Sequence, residues 1–298
     1  MTIRIAAVQM DIVLGDADAN LRRVVERIER FGDGHRLMVF PECCTAGYGF
    51  DDRRTAVDAA WTLDDDRWAA VFRAAAVRNV AVTVGTLLRD GDRLYNAAML
   101  IADGRIVGHY RKTHLPHLGV DRFVDRGDVG FPVFEVPGVD LRVGMGICYD
   151  SSFPEPMRAL ALAGADVIAL GTNWPVAASR TAEVVPAARS MENHCYFVAA
   201  NRVGSENGFE FCGRSSITGP DGVVSAICDD DSETVLSAEI DVAVARNKQI
   251  QRTPGKHVID RFGDRRPELY GALVDGGDQP GWAEWGSGWR PLGSRDGL

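Results

Sequence analysis

The residues best suited to chemistry in this chain are a cysteine, a glutamate and a lysine, each set just past a short apolar run. Cys148 closes the run 141–147 in Gly146-Ile147-Cys148-Tyr149-Asp150. Glu42 follows 37–40 in Pro41-Glu42-Cys43-Cys44, and Lys112 follows 105–109 in Tyr110-Arg111-Lys112-Thr113-His114-Leu115-Pro116. A fourth polar segment, Thr172-Asn173-Trp174-Pro175, follows 167–170. The carboxyl ends of strands are where α/β folds deliver functional groups, so the recurrence of this placement points to one pocket. Cys148 stands between Val143-Gly144-Met145-Gly146 and a helix start, where unpaired backbone N–H groups lower a thiol pKa and make a nucleophilic thiolate. The competing reading is a buried cysteine packing as a small hydrophobe.

The elements that must position these groups follow from periodicity. Alternation predicts a strand over 3–9, and Leu21, Val24, Val25 and Ile28 at helical spacing predict an amphipathic helix over 16–30. Trp68, Val71, Phe72 and Ala75 predict a second helix over 64–78, followed by a strand over 80–87. Strands over 95–102 and 105–110 meet at Asp103-Gly104, a tight-hairpin signal, and Asp221-Gly222 marks a second hairpin between 215–218 and 223–227. Further strands are expected over 141–147, 167–170, 196–201 and 234–240, with helices over 154–163 and 183–194. Alternating strands and helices with inserted hairpins make the class α/β with mixed sheets. Residues 1–275 read as a single domain, and 276–298, rich in Gly, Trp and Pro, as a tail packing on the surface or on a neighbouring subunit.

Composition narrows the partners. With 298 residues, 46% hydrophobic and 25% charged, the chain has the make-up of a globular protein. A formal net charge of −9 without a basic patch argues against nucleic acid and anionic lipid. No apolar run is long enough to span a membrane, and Met1 to Met10 lacks the features of a secretory signal. Six scattered cysteines fit reduced thiols, so a cytoplasmic location is expected.

The chain resembles the nitrilase superfamily of carbon–nitrogen hydrolases. The resemblance runs through Ala7-Val8-Gln9, Phe40-Pro41-Glu42, Arg111-Lys112-Thr113-His114-Leu115-Pro116, Gly146-Ile147-Cys148-Tyr149-Asp150 and Phe153-Pro154-Glu155. It continues through Arg189, Glu192-Asn193 and Ala200-Asn201-Arg202 to Asp264-Arg265-Arg266-Pro267-Glu268. It implies a four-layer αββα sandwich and a Glu42, Lys112, Cys148 triad. In that triad Glu42 is the general base, Lys112 and the backbone N–H of Tyr149 hold the oxyanion, and Cys148 is the nucleophile. The substrate implied is a small linear amide, cleaved to a carboxylic acid and ammonia through a thioester, with no metal or cofactor. N-carbamoyl compounds and nitriles are alternatives on the same triad. Tyr149-Asp150 resembles the amidase and carbamoylase branches, whereas nitrilases tend to place Trp-Glu there. Many relatives carry a second glutamate in the loop after the lysine, and here Asp121 stands at that place, one methylene shorter. It is expected either to orient Lys112 or the substrate amide, or to bond Arg122. Tyr48, Asn173 and Trp174 fall where pocket walls lie in the resembled fold, and a homodimer or higher homo-oligomer is implied.

Other readings remain on the table. A Cys-His hydrolase would draw on His109, His114, His117 or His194, but leaves Glu42 and Lys112 unexplained. Cys43, Cys44, His114 and His117 do not have zinc-site spacing. Gly144-x-Gly146 lacks the rest of a dinucleotide-binding signature and reads as a place of close backbone approach. A binding or scaffold protein on the same fold, without turnover, is the reading from another class.

Overall fold

The computed structural model describes residues 1–274. In chain order the elements are β1 (Thr2–Gln9), α1 (Ala17–Phe31), β2 (His35–Val39), α2 (Arg53–Asp58), α3 (Trp68–Arg78), β3 (Ala81–Asp90), β4 (Arg93–Ala102) and β5 (Arg105–Arg111). There follow β6 (Val133–Glu135), β7 (Arg142–Ile147), α4 (Pro154–Leu162), β8 (Val167–Thr172), α5 (Ser179–Asn193) and β9 (Tyr196–Asn201). The rest is a short hairpin, β10 (Ser205–Glu206) and β11 (Phe209–Glu210), then β12 (Ser216–Thr218), β13 (Val224–Ile227), β14 (Thr234–Asp241) and α6 (Val242–Arg246).

Two six-stranded sheets result, ordered β14-β1-β2-β3-β4-β5 and β13-β12-β9-β8-β7-β6. Each has a parallel centre, β1-β2-β3 or β7-β8-β9, with antiparallel flanks, which is the mixed sheet the element order implies. Period-two alternation sorts the side chains. Ala6 and Val8 of β1 face Val24, Ile28, Trp68 and Val71 of α1 and α3. Ile3, Ile5 and Ala7 enter the other core, with Val143, Met145 and Ile147 of β7. Each buried valine, isoleucine or methionine side chain contributes about 1.5–3 kcal/mol of transfer free energy. On the far side of the second sheet α4 packs onto glycine. A Cβ at Gly144 would lie 2.9 Å from Leu160 Cδ2, and one at Gly146 3.0 Å from Met157 Cε. The Gly-x-Gly pair therefore makes room for side chains of α4, where close approach of backbone was expected. The layers run helix, sheet, sheet, helix.

The Asp103-Gly104 turn has φ of 51° and 69° at its two residues, the left-handed pair that matches hairpin twist. The Asp221-Gly222 hairpin is wider, closing through Gly219 N–H to Val223 O at 2.8 Å. Helix α3 starts at Trp68, later than the periodicity predicts, because Asp65 takes the Arg67 backbone and side-chain donors in a turn. Helix α5 starts earlier, at Ser179, and keeps Pro186 inside. Among the described residues no helix is long and apolar enough to cross a membrane.

By contacts the chain divides into two compact units, Met1–Lys248 and Gln249–Leu298. In the second, β15 (Gln249–Thr253) pairs antiparallel with β16 (His257–Asp260), and Asp260 Oδ1 accepts the Phe262 and Gly263 N–H groups. The expected boundary at 275 and the tail 276–298 lie outside the described residues.

Candidate active site

Four strand ends on one edge of the two sheets build the site. Glu42 lies in the turn after β2, and that turn is squeezed between the sheets. A Cβ at Gly85 of β3 would lie 2.3 Å from Pro41 O, and one at Gly171 of β8 would lie 2.8 Å from Phe40 O and 3.0 Å from Glu42 N. Only glycine leaves room at either place. Lys112 follows β5, its backbone N–H donating to Asn96 O at 2.8 Å. Cys148 follows β7 at φ 44° and opens a 3-10 helix, Cys148–Ser152.

At the centre is the Lys112 ammonium. Its Nζ lies 2.6 Å from Glu42 Oε1 and 2.5 Å from Asp121 Oδ2. Asn96 Nδ2 donates to the same two carboxylates, to Glu42 Oε1 at 2.7 Å and to Asp121 Oδ1 at 2.9 Å. The Tyr48 hydroxyl donates to Asp121 Oδ2 at 2.8 Å, and Asn173 Nδ2 donates to the Glu42 backbone carbonyl at 3.1 Å. All of these side chains are buried, and Cys148 keeps 7% exposure.

Burial sets the proton inventory. It raises the Glu42 pKa, with Lys112 opposing and Asp121 adding to the rise. Burial alone would lower Lys112, but Asp121 and Glu42 outweigh it and hold the ammonium pKa well above the ordinary value. The Cys148 thiol is pushed up to about 12, chiefly by burial and then by Glu42. Lys112, the Thr172 hydroxyl and the Asn173 backbone N–H pull it down by less. The expected lowering at a helix start is therefore corrected. One five-residue 3-10 turn offers too little positive potential to offset full desolvation beside a carboxylate. Burial thus favours the neutral thiol, with the charges of Glu42 and Lys112 close enough to act on it.

The remaining expected residues divide. Asp121 bonds Lys112, Asn96 and Tyr48, while Arg122 turns to the carbonyls of Gly119 and Phe50. Tyr48 is walled in beside Asp121, and its ring lies 5.7 Å from Lys112 Nζ. Trp174 is 3% exposed within the core. The Tyr149 ring is 38% exposed and meets Phe153 edge-on. Its backbone N–H stands in the first turn of the 3-10 helix, where an amide lacks an intrahelical acceptor. His114 gives Nδ1 to Asp150 at 2.8 Å, not to the sulfur. A cleft of about 650 Å³ is lined by Leu118, Pro175, Val176, Glu206 and Phe209 among others, and of these Leu118 O accepts the Tyr48 hydroxyl and Glu206 the Tyr48 backbone N–H.

Sequence reasoning missed Asn96, Gly85 and Gly171. A lone amide inside the apolar stretch 94–101 is a signal for the first, since a buried polar side chain needs partners. The glycines carried none, because the backbone they make room for belongs to a distant segment. The Arg202–Glu206 pair was also missed. Glu206 Oε2 lies 2.6 Å from Arg202 Nη1, and its other oxygen accepts the backbone N–H groups of Tyr48 and Gly49.

Comparison with known proteins agrees with this architecture. The chain is 36% identical over 270 residues to a nitrilase of Pyrococcus abyssi, covering 90% of this chain and 99% of that one. It is 31% identical over 271 residues to a 2-oxoglutaramate amidase of Bacillus subtilis, covering 89% and 98%. The fold is shared with a mutant of an amidase from Nesterenkonia sp. AN1, at a TM-score of 0.76, 22% identity, and coverage of 91% and 96%. That structure shows covalent addition of the acetamide moiety of fluoroacetamide at its active site cysteine. The family profile described as carbon-nitrogen hydrolase matches residues 4–249, which include every segment that builds the pocket, and the chain belongs to that family.

Proposed function

We propose that the chain hydrolyses the C–N bond of a small linear amide to a carboxylic acid and ammonia, through a thioester on Cys148. The observation that carries this reading is the buried Lys112 ammonium held between Glu42 and Asp121 beside a neutral thiol, with Glu42 Oε2 buried and lacking a donor. Glu42 takes the thiol proton as sulfur attacks the carbonyl carbon, because a carboxylate with a raised pKa is a stronger base than one in water. Lys112 and the Tyr149 N–H hold the oxyanion. Collapse of the tetrahedral intermediate breaks the C–N bond, and the proton on Glu42 goes to the nitrogen, which leaves as ammonia. Water then gives a proton to Glu42 and adds to the thioester carbonyl. The sulfur departs and takes the proton back, freeing the acid. Asp121 keeps Lys112 charged and in place throughout.

Carbamoyl compounds and nitriles are the alternatives on the same residues, and relatives named nitrilase and N-carbamoylputrescine amidase mark both. Tyr149-Asp150 after the nucleophile favours amides over nitriles. The test is ammonia release from a panel of amides, nitriles and carbamoyl compounds by wild type and Cys148→Ala. A wild type inert across the panel would leave a binding protein on this fold as the better reading. Mass spectrometry of Glu42→Gln with an active substrate should find an acyl adduct on Cys148, since deacylation needs the base.

A homodimer or larger homo-oligomer belongs to the same proposal. Its support is α5, which turns Val184 and Met191 to solvent at 43% and 45% exposure. Light scattering that gave a monomer mass at all concentrations would refute it. A cytoplasmic location accords with six free cysteines.

A further inference from the structure

Among the buried polar atoms of the site that lack a protein partner, the mechanism above gives Asn173 Oδ1 no task. Asn173 is 1% exposed, and its Oδ1 is buried with no hydrogen-bond donor. Which end of this amide is left without a protein partner is decided by its other contact. Nδ2 donates to the Glu42 carbonyl, so nitrogen is committed to the turn behind the base, and oxygen is what Asn173 presents elsewhere. The residue sits between the two reacting groups. Its side chain bonds the Glu42 backbone, and its own backbone N–H is among the groups that draw the Cys148 thiol pKa down. A buried acceptor that no protein donor fills is open to a donor from whatever enters the site, and the donors a carboxamide brings to this side of its carbonyl are its N–H groups.

We propose that Asn173 Oδ1 accepts an N–H of the scissile amide nitrogen and so aims that nitrogen's lone pair at Glu42. The inference rests on the amidase reading and deepens it. When sulfur adds to the carbonyl carbon, the nitrogen becomes pyramidal and must receive the proton from Glu42 before the C–N bond breaks. One N–H held on Asn173 restricts rotation about that bond, leaving the lone pair facing the carboxylic acid. No atom is transferred to or from Asn173. The arrangement selects by donor count. A primary amide or a terminal ureido group has an N–H to give, whereas an ester, a nitrile or an N,N-dialkyl amide has none and leaves Oδ1 empty. Sites built to bond a substrate N–H discriminate strongly against analogues lacking it.

The experiment compares kcat/KM for a primary amide and for the methyl ester of the same acid in wild type, Asn173→Ala and Asn173→Asp. Attack, oxyanion stabilisation and thioester hydrolysis are common to both substrates, so damage to the Glu42 turn lowers both rates. The expected result is that Asn173→Ala lowers the amide-to-ester ratio by about 10- to 100-fold. Asn173→Asp, which keeps an oxygen at the same reach but loses the bond to the Glu42 carbonyl, should lower both rates and keep the ratio within about threefold of wild type. Equal losses on amide and ester in Asn173→Ala would overturn the proposal and leave Asn173 as a brace for the Glu42 turn. Should neither variant accumulate as folded protein, the wild type decides. Turnover of the N,N-dimethyl amide within about tenfold of the primary amide would sink the idea, and a larger deficit supports it. A wild type that hydrolyses neither amide nor ester refutes the amidase reading itself, an outcome distinct from all of these.

Discussion

Asp150 and His114 join the segment that carries the thiol to the segment that carries the ammonium. The buried Asp150 carboxylate accepts the His114 backbone N–H at 3.1 Å and lies 2.8 Å from His114 Nδ1, two residues beyond Lys112. It also accepts the Ile147 N–H at 3.0 Å, one residue before Cys148, and the Tyr110 hydroxyl at 2.9 Å, two residues before Lys112. A single side chain thus sets the distance between the two strand ends.

Asp150→Asn should therefore act through geometry. An amide cannot accept all four donors, and a buried N–H left unpaired costs about 1–3 kcal/mol. The expected outcome is a stability loss of that order in urea unfolding, with kcat reduced about 10- to 100-fold and KM changed less. An unchanged kcat would show that the Cys148 turn holds its shape without this carboxylate.

Lys112→Met removes the cation between two buried carboxylates. Breaking a buried ion pair from one side costs about 3–5 kcal/mol, and losing one oxyanion donor costs about 10²–10³ in kcat. Adding Asp121→Asn to Lys112→Met should recover part of the stability, because one uncompensated charge is removed, and none of the activity. Chemical denaturation and ammonia release on the two variants check both halves.

The pH profile follows from Glu42. In the proposed mechanism its ionised form is the base, and its pKa is raised above 4.5 by burial, so kcat/KM should rise with pH through a limb that lies above 4.5. The thiol, held near 12, adds no alkaline limb between pH 7 and about 10. Iodoacetamide should likewise alkylate Cys148 more slowly at pH 8 than a free cysteine, whose pKa is about 8.5. Lys112 titrates the other way for stability. Its folded pKa is raised, so its contribution is fully present below its unfolded pKa of about 10.4 and is lost as pH climbs through the folded value. A limb below 4.5, or fast alkylation at neutral pH, would contradict this assignment.

Gly85→Ala tests the squeezed turn. The added methyl meets the backbone of Pro41, Glu42 and Cys43, which has little freedom to move between two sheets. Overpacking of this kind costs about 1–3 kcal/mol, and the shift of Glu42 should cost at least about tenfold in kcat. Activity and melting temperature together check it. Full activity would mean the turn tolerates displacement.

Glu206→Gln probes the loop that carries Tyr48. Arg202 would be left buried without its nearest counter-charge, and Tyr48 and Gly49 would share a weaker acceptor. The expected cost is about 3–5 kcal/mol in chemical denaturation. A change below 1 kcal/mol would show that Asp11, which also bonds Arg202 at 3.0 Å, suffices as the partner.

Read alone, the amino-acid order determined most of the layering and the identity of the candidate reacting groups. Period-two and period-3.6 patterns are local, so β1, α1, β4, β5, β7 and β9 were legible from their own residues, as was the turn at Asp103-Gly104. The motifs around Glu42, Lys112 and Cys148 were legible too, because each is a short run of consecutive residues just past an apolar strand. Tertiary structure alone decided that Asn96 bridges Glu42 and Asp121, that Gly85 and Gly171 hold the Glu42 turn from opposite sheets, and that Asp121 faces Lys112 and not Arg122. It also reversed the sign of the thiol's shift. Burial and the nearness of charges depend on segments separated by tens of residues, and desolvation acts on a group only once those segments have closed around it.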